Sequence, residues 1–352
     1  MPTNVRVSPV RAPAGRTRPH PLRATLCAVI SALLLASCGL AANDETPTTT
    51  EDTRSVTDAR GRSVDIPSEP TRVVTLSEPT LDAALALGVT PVGTAAARGQ
   101  SSQVASYLPA GAAEATVVGQ LTAPNLEEIV RLDPELILVD GTAVNDDVLI
   151  GKLQDIAPTL WIGEAGNADW RTGLRAVADA LGESEAADAF IADYALRVEE
   201  VTAALGANAG ARVSIVRWGL ASGAFLPQST FPAMVLGDLG LTRPEAQNIE
   251  GNGHSEQVSI ENVGILDGDW MFFCTLGGAA GPATAEDGGG ETGVEASAEA
   301  LRRAAELAVG FTELDVYQAD RIVPVDGTAW GSAGGPLAAQ RILDDVADHL
   351  AE

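Results

Sequence analysis

Short apolar runs alternate with amphipathic stretches through most of the chain. The apolar runs predict eight strands, at Arg72–Leu76, Pro91–Gly93, Thr116–Val118, Leu136–Val139, Leu160–Ile162, Val213–Val216, Met271–Thr275 and Arg321–Val325. The amphipathic stretches predict helices between them, at Thr80–Leu87, Leu126–Leu132, Asp147–Ile156, Phe231–Leu239, Ile260–Leu266, Ala296–Val309 and Pro336–Leu350. This alternation favours an α/β fold with mainly parallel sheets.

One helical stretch is longer than the rest. Apolar residues recur at helical spacing from Asp169 to Leu205, and Gly182 divides the stretch into two segments. The second segment predicts about 20 residues and about 30 Å of helix. We therefore predict two α/β lobes, at 56–168 and 207–352, joined by a backbone helix at 169–206. A rigid helix between two lobes leaves a cleft in which a ligand can lie.

The N-terminal region is typical of an export signal. Residues 24–37 form an apolar run that is too short to span a bilayer comfortably and suits a signal-peptide core. The run ends in LASCGL, which resembles a bacterial lipobox and implies that Cys38 is lipidated and anchors the protein to a membrane. We predict a lipoprotein signal peptide at 1–37 and a flexible acidic tether at 38–55. The alternative is an ordinary cleaved signal with a chance cysteine.

Composition excludes several classes of function. Lys and Arg total 22 against 48 Asp and Glu, a formal charge of −26 that argues against nucleic-acid binding. Lys152 is the only lysine, which excludes a P-loop. Cys274 lies in an apolar run and is predicted to be a core residue. With three histidines in the sequence, no nucleophile–base pair or metal cluster can be assembled, so we expect neither catalytic residues nor a resident cofactor.

Several segments together resemble a known family. In chain order they are VTDARGRSVDIPSEPTRVVTL (Val56–Leu76), LDAALALGVTPVGTA (Leu81–Ala95), NLEEIVRLDPELILVD (Asn125–Asp140), FPAMVLGDLGL (Phe231–Leu241), VSIENVGIL (Val258–Leu266) and TAWGSAGGPLAAQRILDDV (Thr328–Val346). Their order and spacing resemble the substrate-binding proteins of ABC importers for ferric siderophores and cobalamin. The resemblance implies two α/β lobes, a ligand held between them, and docking of the loaded monomer on a membrane permease with its ATPase.

Three residues of the first lobe are candidate ligand contacts. Glu78 follows the first strand, where open α/β sheets bind ligands, although an acid there also suits the first turn of a helix. Arg98 lies in a small-residue loop and offers a fork of donors to an anionic chelate; its alternative is a surface ion pair. Tyr107 is expected to pack on a ligand face or in the core.

Candidates in the second lobe also lie at strand ends or in loops. They are Arg217, Trp218, Ser229, Phe231, His254 and Trp330. Arg217 and Trp218 supply a charge and an aromatic face, whereas the resemblance places Ser229, Phe231 and His254 at the rim of the cleft. The alternatives are core packing for both tryptophans and a solvated loop for His254.

Two acids are candidates for the permease contact. The resemblance implies one docking acid in each lobe, and Asp82 falls at the matching place in the first lobe. Asp238 lies one residue from the matching place in the second lobe. Both are also explained as ordinary surface acids.

The sequence therefore favours a lipid-anchored, extracytoplasmic protein that captures a ferric siderophore. A chelated metal suits the chain better than a bare ion, because few histidines and tyrosines are available as ligands. Alternatives are cobalamin or haem binding on the same scaffold, an interaction module of the cell envelope, and a hydrolase. An acidic, glycine-rich loop at 277–293 departs from the compact pattern of the family.

Overall fold

The computed structural model describes residues 52–141, 146–163, 169–219, 222–251, 254–276, 293–332 and 334–352. Cys38, the predicted signal peptide and the greater part of the predicted 277–293 loop lie outside these residues. Among the described residues, no helix has both the length and the apolar character needed to cross a membrane.

The first sheet is entirely parallel. Its strands are β3 (Val73–Thr75), β4 (Gly93–Thr94), β5 (Thr116–Val117), β8 (Leu136–Val139) and β9 (Thr159–Trp161). The order across the sheet is β5-β4-β3-β8-β9. Helices connect these strands at α1 (Glu78–Ala86), α2 (Leu126–Arg131) and α3 (Asp147–Gln154). Parallel strands need such crossovers, and the apolar strand sequences reflect cover on both faces.

Two antiparallel hairpins accompany this sheet. The first pairs β1 (Thr53–Thr57) with β2 (Ser63–Pro67), and the second pairs β6 (Gly119–Gln120) with β7 (Ala123–Pro124). The strand β1 begins before the predicted end of the acidic tether at residue 55, so residues 53–55 belong to the folded body.

The second sheet is mixed. Its strands are β10 (Val213–Trp218), β11 (Gly223–Phe225), β12 (Glu256–Val258), β13 (Trp270–Cys274) and β14 (Ile322–Pro324). The order is β12-β11-β10-β13-β14, and β10, β13 and β14 run parallel. The helices of this part are α6 (Phe231–Asp238), α7 (Val294–Leu307), α8 (Asp315–Gln318), α9 (Gly327–Trp330) and α10 (Pro336–Leu350).

One predicted helix is wrong. The segment Ile260–Leu266 contains only a 3₁₀ turn at Val263–Leu266, which leads into β13. The other predicted helices and all eight predicted strands are present, with ends that differ by a few residues. The predicted α/β fold with mainly parallel sheets is confirmed.

The long helical stretch is divided as predicted. Helix α4 (Trp170–Leu181) ends at Gly182, whose φ of 80° lies in the left-handed region that favours glycine. Helix α5 (Ser184–Ala204) then runs for 21 residues. Apolar side chains of both helices share one buried cluster with Leu138 of the first sheet and Phe272 of the second. The two sheets are thus tied to a common core, whereas the predicted lobe boundaries at 168 and 207 stay a prediction.

Candidate ligand-binding site

The carboxyl ends of β3 and β10 bring charged residues to the region between the two sheets. Glu78 is the first residue of α1, which Ser77 caps by accepting the backbone N–H of Thr80 at 3.3 Å. The Glu78 side chain is 6% exposed. Its Oε1 accepts the backbone N–H of Arg98 at 2.7 Å, and its Oε2 lies 3.6 Å from Arg98 Nε. Glu78 and Arg98 therefore form a partly buried ion pair.

Glu78 also contacts the second half of the molecule. The Ser332 hydroxyl, which follows α9, donates to Glu78 Oε2. Nearby, a Cβ atom added to Gly99 would lie 2.0 Å from the carbonyl oxygen of Leu276, just after β13. The loops of the two sheets thus approach each other to backbone contact at this point.

Arg217 enters the same region from β10. Its guanidinium donates to Ser255 Oγ and, at 3.4 Å, to the carbonyl oxygen of Gly331. Among the described residues, no carboxylate lies within ion-pair distance of this half-buried side chain. Burial lowers the pKa of the Arg217 guanidinium, and the positive charge of Arg98 lowers it further. Within the part of the chain that the structure describes, Arg217 is therefore a cation without a counter-ion, close to a second cation.

The two tryptophans predicted to line the cleft are core residues instead. Trp218 is 2% exposed and stacks on Phe273 at a centroid distance of 6.0 Å. Trp330 is fully buried, stacks on Phe272 at 4.2 Å, and donates from Nε1 to Asp345 at 2.7 Å. Each ring is buried against the second sheet and presents no free face, which corrects both predictions.

The other predicted rim residues have different surroundings. Phe231 is buried at the start of α6, where a Cβ on Gly334 would lie 2.2 Å from its ring; this corrects its assignment as a ligand contact. Ser229 is half-buried, and its Oγ has no hydrogen-bond partner among the described residues. His254 is exposed, and its neighbour Ser255 is the residue that contacts Arg217.

The buried Asp82 pairs with the half-buried Tyr107. The Tyr107 hydroxyl donates to Asp82 Oδ2 at 2.7 Å. The same carboxylate accepts the backbone N–H groups of Leu337 at 2.7 Å and Ala338 at 3.1 Å, in the first turn of α10. Burial raises the pKa of Asp82 to about 6. Asp82 is fully buried, so its predicted role in permease docking is wrong, and the Tyr107 hydroxyl is occupied within the protein.

Asp238 is also engaged within the protein. It is the last residue of α6 and accepts from Arg171 at 2.6 Å and from the Tyr194 hydroxyl at 2.9 Å. The Arg171 guanidinium lies over the rings of Trp170 and Tyr194. These contacts join α6 to α4 and α5, and they correct the interpretation of Asp238 as a free docking acid.

Cys274 is confirmed as a core cysteine. It is a free, buried thiol at the end of β13, and burial raises its pKa to about 12. Among the described residues, no group of three or more His, Cys, Asp or Glu side chains is arranged to hold a metal ion.

Sequence reasoning missed three residues of this region. Ser332 and Ser255 were not predicted, although each lies within two residues of a predicted contact. Thr275, directly after β13, has a buried Oγ1 without a hydrogen-bond partner among the described residues. A positional signal was available for Thr275, which directly follows β13 at the edge where parallel sheets bind ligands. Ser255 precedes β12 and Ser332 follows α9, so their only signal was closeness to His254 and Trp330 in the sequence.

Comparison with known proteins agrees with this architecture. The family model described as "Periplasmic binding protein" matches residues 73–297. The "Probable siderophore-binding lipoprotein YfiY" of Bacillus subtilis is 28% identical over 334 residues, covering 92% of this chain and 95% of that protein. The "Achromobactin-binding periplasmic protein" of Dickeya dadantii is 28% identical, covering 79% of this chain and 86% of that protein.

A solved structure shares the fold. The complex of Staphylococcus aureus SirA with staphyloferrin B has a TM-score of 0.69 at 24% identity, covering 85% of this chain and 98% of that one. At this identity the likeness shows the fold alone. The family match spans well over half of the sequence, and the chain belongs to the periplasmic binding protein family.

Proposed function

We propose that the protein captures a ferric siderophore between its two sheets and delivers it to an ABC permease in the membrane. The Bacillus relative is named a probable siderophore-binding lipoprotein and the Dickeya relative an achromobactin-binding protein, which supports this proposal over cobalamin, haem or an envelope interaction module. The family consists of binding proteins, and we expect binding without turnover.

The observation that carries the proposal is the charge of Arg217, which has no carboxylate partner among the residues that the structure describes. In a chain with a formal charge of −26, a half-buried guanidinium would ordinarily find a carboxylate. Arg217 instead has a hydroxyl and a distant carbonyl as partners, and it lies near Arg98. An anionic chelate would supply the missing charge through charge-assisted hydrogen bonds. Ser229 and Thr275 have hydroxyl groups that also lack a hydrogen-bond partner among the described residues.

The anchor and the partner form the second half of the proposal. Lipidation at Cys38 would hold the body on the outer face of the membrane, within reach of the permease and its ATPase. The name of the Bacillus relative includes the word lipoprotein, which supports this placement. Because Asp82 is buried and Asp238 is paired, the permease contact falls to other exposed acids.

Calorimetric titration of the purified protein tests the proposal. The panel consists of ferric carboxylate, catecholate and hydroxamate siderophores, together with cobalamin and haem. We expect one-to-one binding of at least one ferric siderophore, weaker binding of the same siderophore without iron, and no binding of cobalamin or haem. Binding of haem alone, or of no chelate, would overturn the proposal.

A further inference from the structure

The carboxylate of Glu78 stands beside the arginines that are proposed to receive the ligand. Its oxygens contact the backbone and guanidinium of Arg98 and the hydroxyl of Ser332. These contacts come from both halves of the molecule and leave the side chain almost fully buried. Glu78 is therefore a fixed charge, and a carboxylate of the ligand would have to compete with it for Arg98.

Glu78, Arg98 and Arg217 carry three charges at this place, and one positive charge has no opposite charge among them. Glu78 matches Arg98, and Arg217 has neutral partners only among the described residues. The three side chains together carry one positive charge. A guanidinium in a partly buried setting interacts strongly with a single anionic group, because the effective dielectric constant there is well below that of water.

Asp82 and Asp326 lie close to Tyr107 and its neighbour Ser106. Burial raises the pKa of Tyr107 well above its usual value, and the charges of Asp82, Glu78 and Asp326 raise it further. Asp326 is itself buried and accepts from the Ser106 hydroxyl at 2.7 Å. A highly anionic chelate would meet attraction at Arg217 and repulsion from the nearby carboxylate of Glu78.

We propose that Glu78 sets the charge of the chelate that the site accepts. It occupies Arg98 from within the protein, leaves Arg217 for a single anionic group of the ligand, and disfavours chelates that carry several negative charges. The preferred ligand class is a ferric chelate with a net charge near minus one. This inference rests on the proposed function and adds a ligand class and a selecting residue to it.

The test compares affinities for two ferric chelates of different charge. A ferric trihydroxamate is neutral and a ferric tris-catecholate carries three negative charges. We expect the wild type to favour the neutral chelate. In Glu78→Gln, the affinity for the tris-catecholate relative to the trihydroxamate should rise at least tenfold at low salt, and this gain should shrink in 0.5 M salt because screening weakens charge interactions. Gln retains an acceptor for the Arg98 N–H and a donor for Ser332, and thermal unfolding verifies folding.

Two further variants separate charge from structure. Ser332→Ala removes the hydrogen bond to Glu78 and keeps its charge, so the affinity ratio should stay within about threefold of wild type. The double variant Glu78→Gln/Arg98→Gln removes both members of the pair and restores one unmatched cation, so its ratio should return towards that of the wild type.

The outcomes distinguish this inference from the function on which it rests. A wild type that prefers the tris-catecholate, or a ratio unchanged in Glu78→Gln, overturns the role of Glu78 and leaves siderophore binding intact. Equal losses for both chelates in Glu78→Gln mean a purely structural residue and also overturn it. If the wild type binds no ferric chelate at all, both proposals fall.

Discussion

Arg217 and Arg243 present the same chemistry in two settings. Both are removed from solvent to a large degree, both belong to the part of the chain that forms the second sheet, and neither has a carboxylate partner among the described residues. Arg243 donates to the carbonyl oxygens of Val213 and Leu226 and, at 2.8 Å, to Gln247 Oε1. Arg217 has a hydroxyl and a carbonyl at 3.4 Å.

The difference lies in the neutral acceptors. The guanidinium of Arg243 donates hydrogen bonds to oxygen atoms that are fixed in the core. Gln247 in turn donates to Ser214 Oγ and to the carbonyl oxygen of Ile265. This network lies within the core and leaves only Nε of Arg243 without a partner among the described residues, so its cation is structural. Arg217 lies at the open carboxyl end of its strand with few acceptors. A buried arginine without an acid is thus a candidate ligand contact only when the protein also leaves its hydrogen-bonding capacity unused.

The largest effect is expected for Arg243→Leu. The substitution leaves the carbonyls of Val213 and Leu226 and the amide of Gln247 short of a donor inside the core. At about 1–3 kcal/mol for each unsatisfied buried group, we expect the free energy of unfolding to fall by about 3–5 kcal/mol. Denaturant unfolding measures this value. A loss below about 1 kcal/mol would mean that Arg243 is no more structural than Arg217.

A pH series on Asp82→Asn isolates the contribution of the Asp82 carboxyl group to stability, because neither Arg217 nor Arg243 titrates at acidic pH. The folded protein holds the Asp82 proton up to about pH 6, whereas the unfolded chain loses it near the ordinary aspartate pKa of 3.8. The folded state binds more protons between these values, so Asp82 lowers stability as the pH rises from about 4 to 6. At about 1.4 kcal/mol per pKa unit, the stability of the variant relative to wild type should rise by up to about 3 kcal/mol across this window.

Urea unfolding of the two proteins at several pH values provides the measurement. The variant loses hydrogen-bond acceptors for Leu337 and Tyr107, so its absolute stability is expected to be lower. If the free energies of unfolding of variant and wild type change in parallel between pH 4 and 6, Asp82 does not titrate in this range.

In contrast to Arg243→Leu, we expect Arg217→Ala to weaken ligand binding and to leave the stability of the fold almost unchanged. Removal of a charge-assisted hydrogen bond should weaken binding of an anionic ferric siderophore by about 1.5–3 kcal/mol, while stability changes by less than about 0.5 kcal/mol. Calorimetric titration and thermal unfolding measure the two effects. Arg98→Ala should also weaken binding, because it leaves the Glu78 carboxylate without its cation close to the ligand.

Arg212→Ala is the matched control for Arg217. Arg212 lies directly before the same strand at its opposite end, is exposed, and pairs with Asp269 at 2.6 Å. Its loss should leave affinity unchanged. If the Arg217, Arg98 and Arg212 variants bind the ferric siderophore with equal affinity, the electrostatic explanation of binding is wrong.

The smallest effect is expected at His254. Its side chain is exposed, next to the residue that contacts Arg217. His254→Ala should alter affinity less than twofold, whereas Ser255→Ala should alter it several-fold because Arg217 then loses its hydroxyl partner. A titration of both variants with one ferric siderophore decides this point. A larger loss at His254 than at Ser255 would place the ligand in the loop rather than against Arg217.

The sequence predicted the fold better than the site, for a physical reason. Strands such as Leu136–Val139 and the glycine break at Gly182 are local patterns, and local patterns can be interpreted from neighbouring residues. The 3₁₀ turn at Val263–Leu266 was mistaken for a helix because one apolar turn satisfies the helical period. The short strands β11 and β12 were missed because they lack alternation of sufficient length.

The site depends on distant partners. Trp330 was predicted to line the cleft, yet a stacking ring from β13 and the carboxylate of Asp345 bury it in the core. Asp82 was taken for a surface acid, although its backbone partners lie 255 and 256 residues further along the chain. Arg98 and Arg217 were predicted at this place because strand ends mark it, while the pairing of Arg98 with Glu78 required the structure.

The contact between Asp82 and α10 also has a consequence for biogenesis. The carboxylate of Asp82 accepts from two backbone amides that lie 255 and 256 residues further along the chain. A Cβ on Gly335 would lie 2.4 Å from that carboxylate, so the chain that enters α10 must carry no side chain at this position. During synthesis the contact therefore cannot form before α10 has been made, and until then Tyr107 is the hydrogen-bond donor left to the Asp82 carboxylate among those described above.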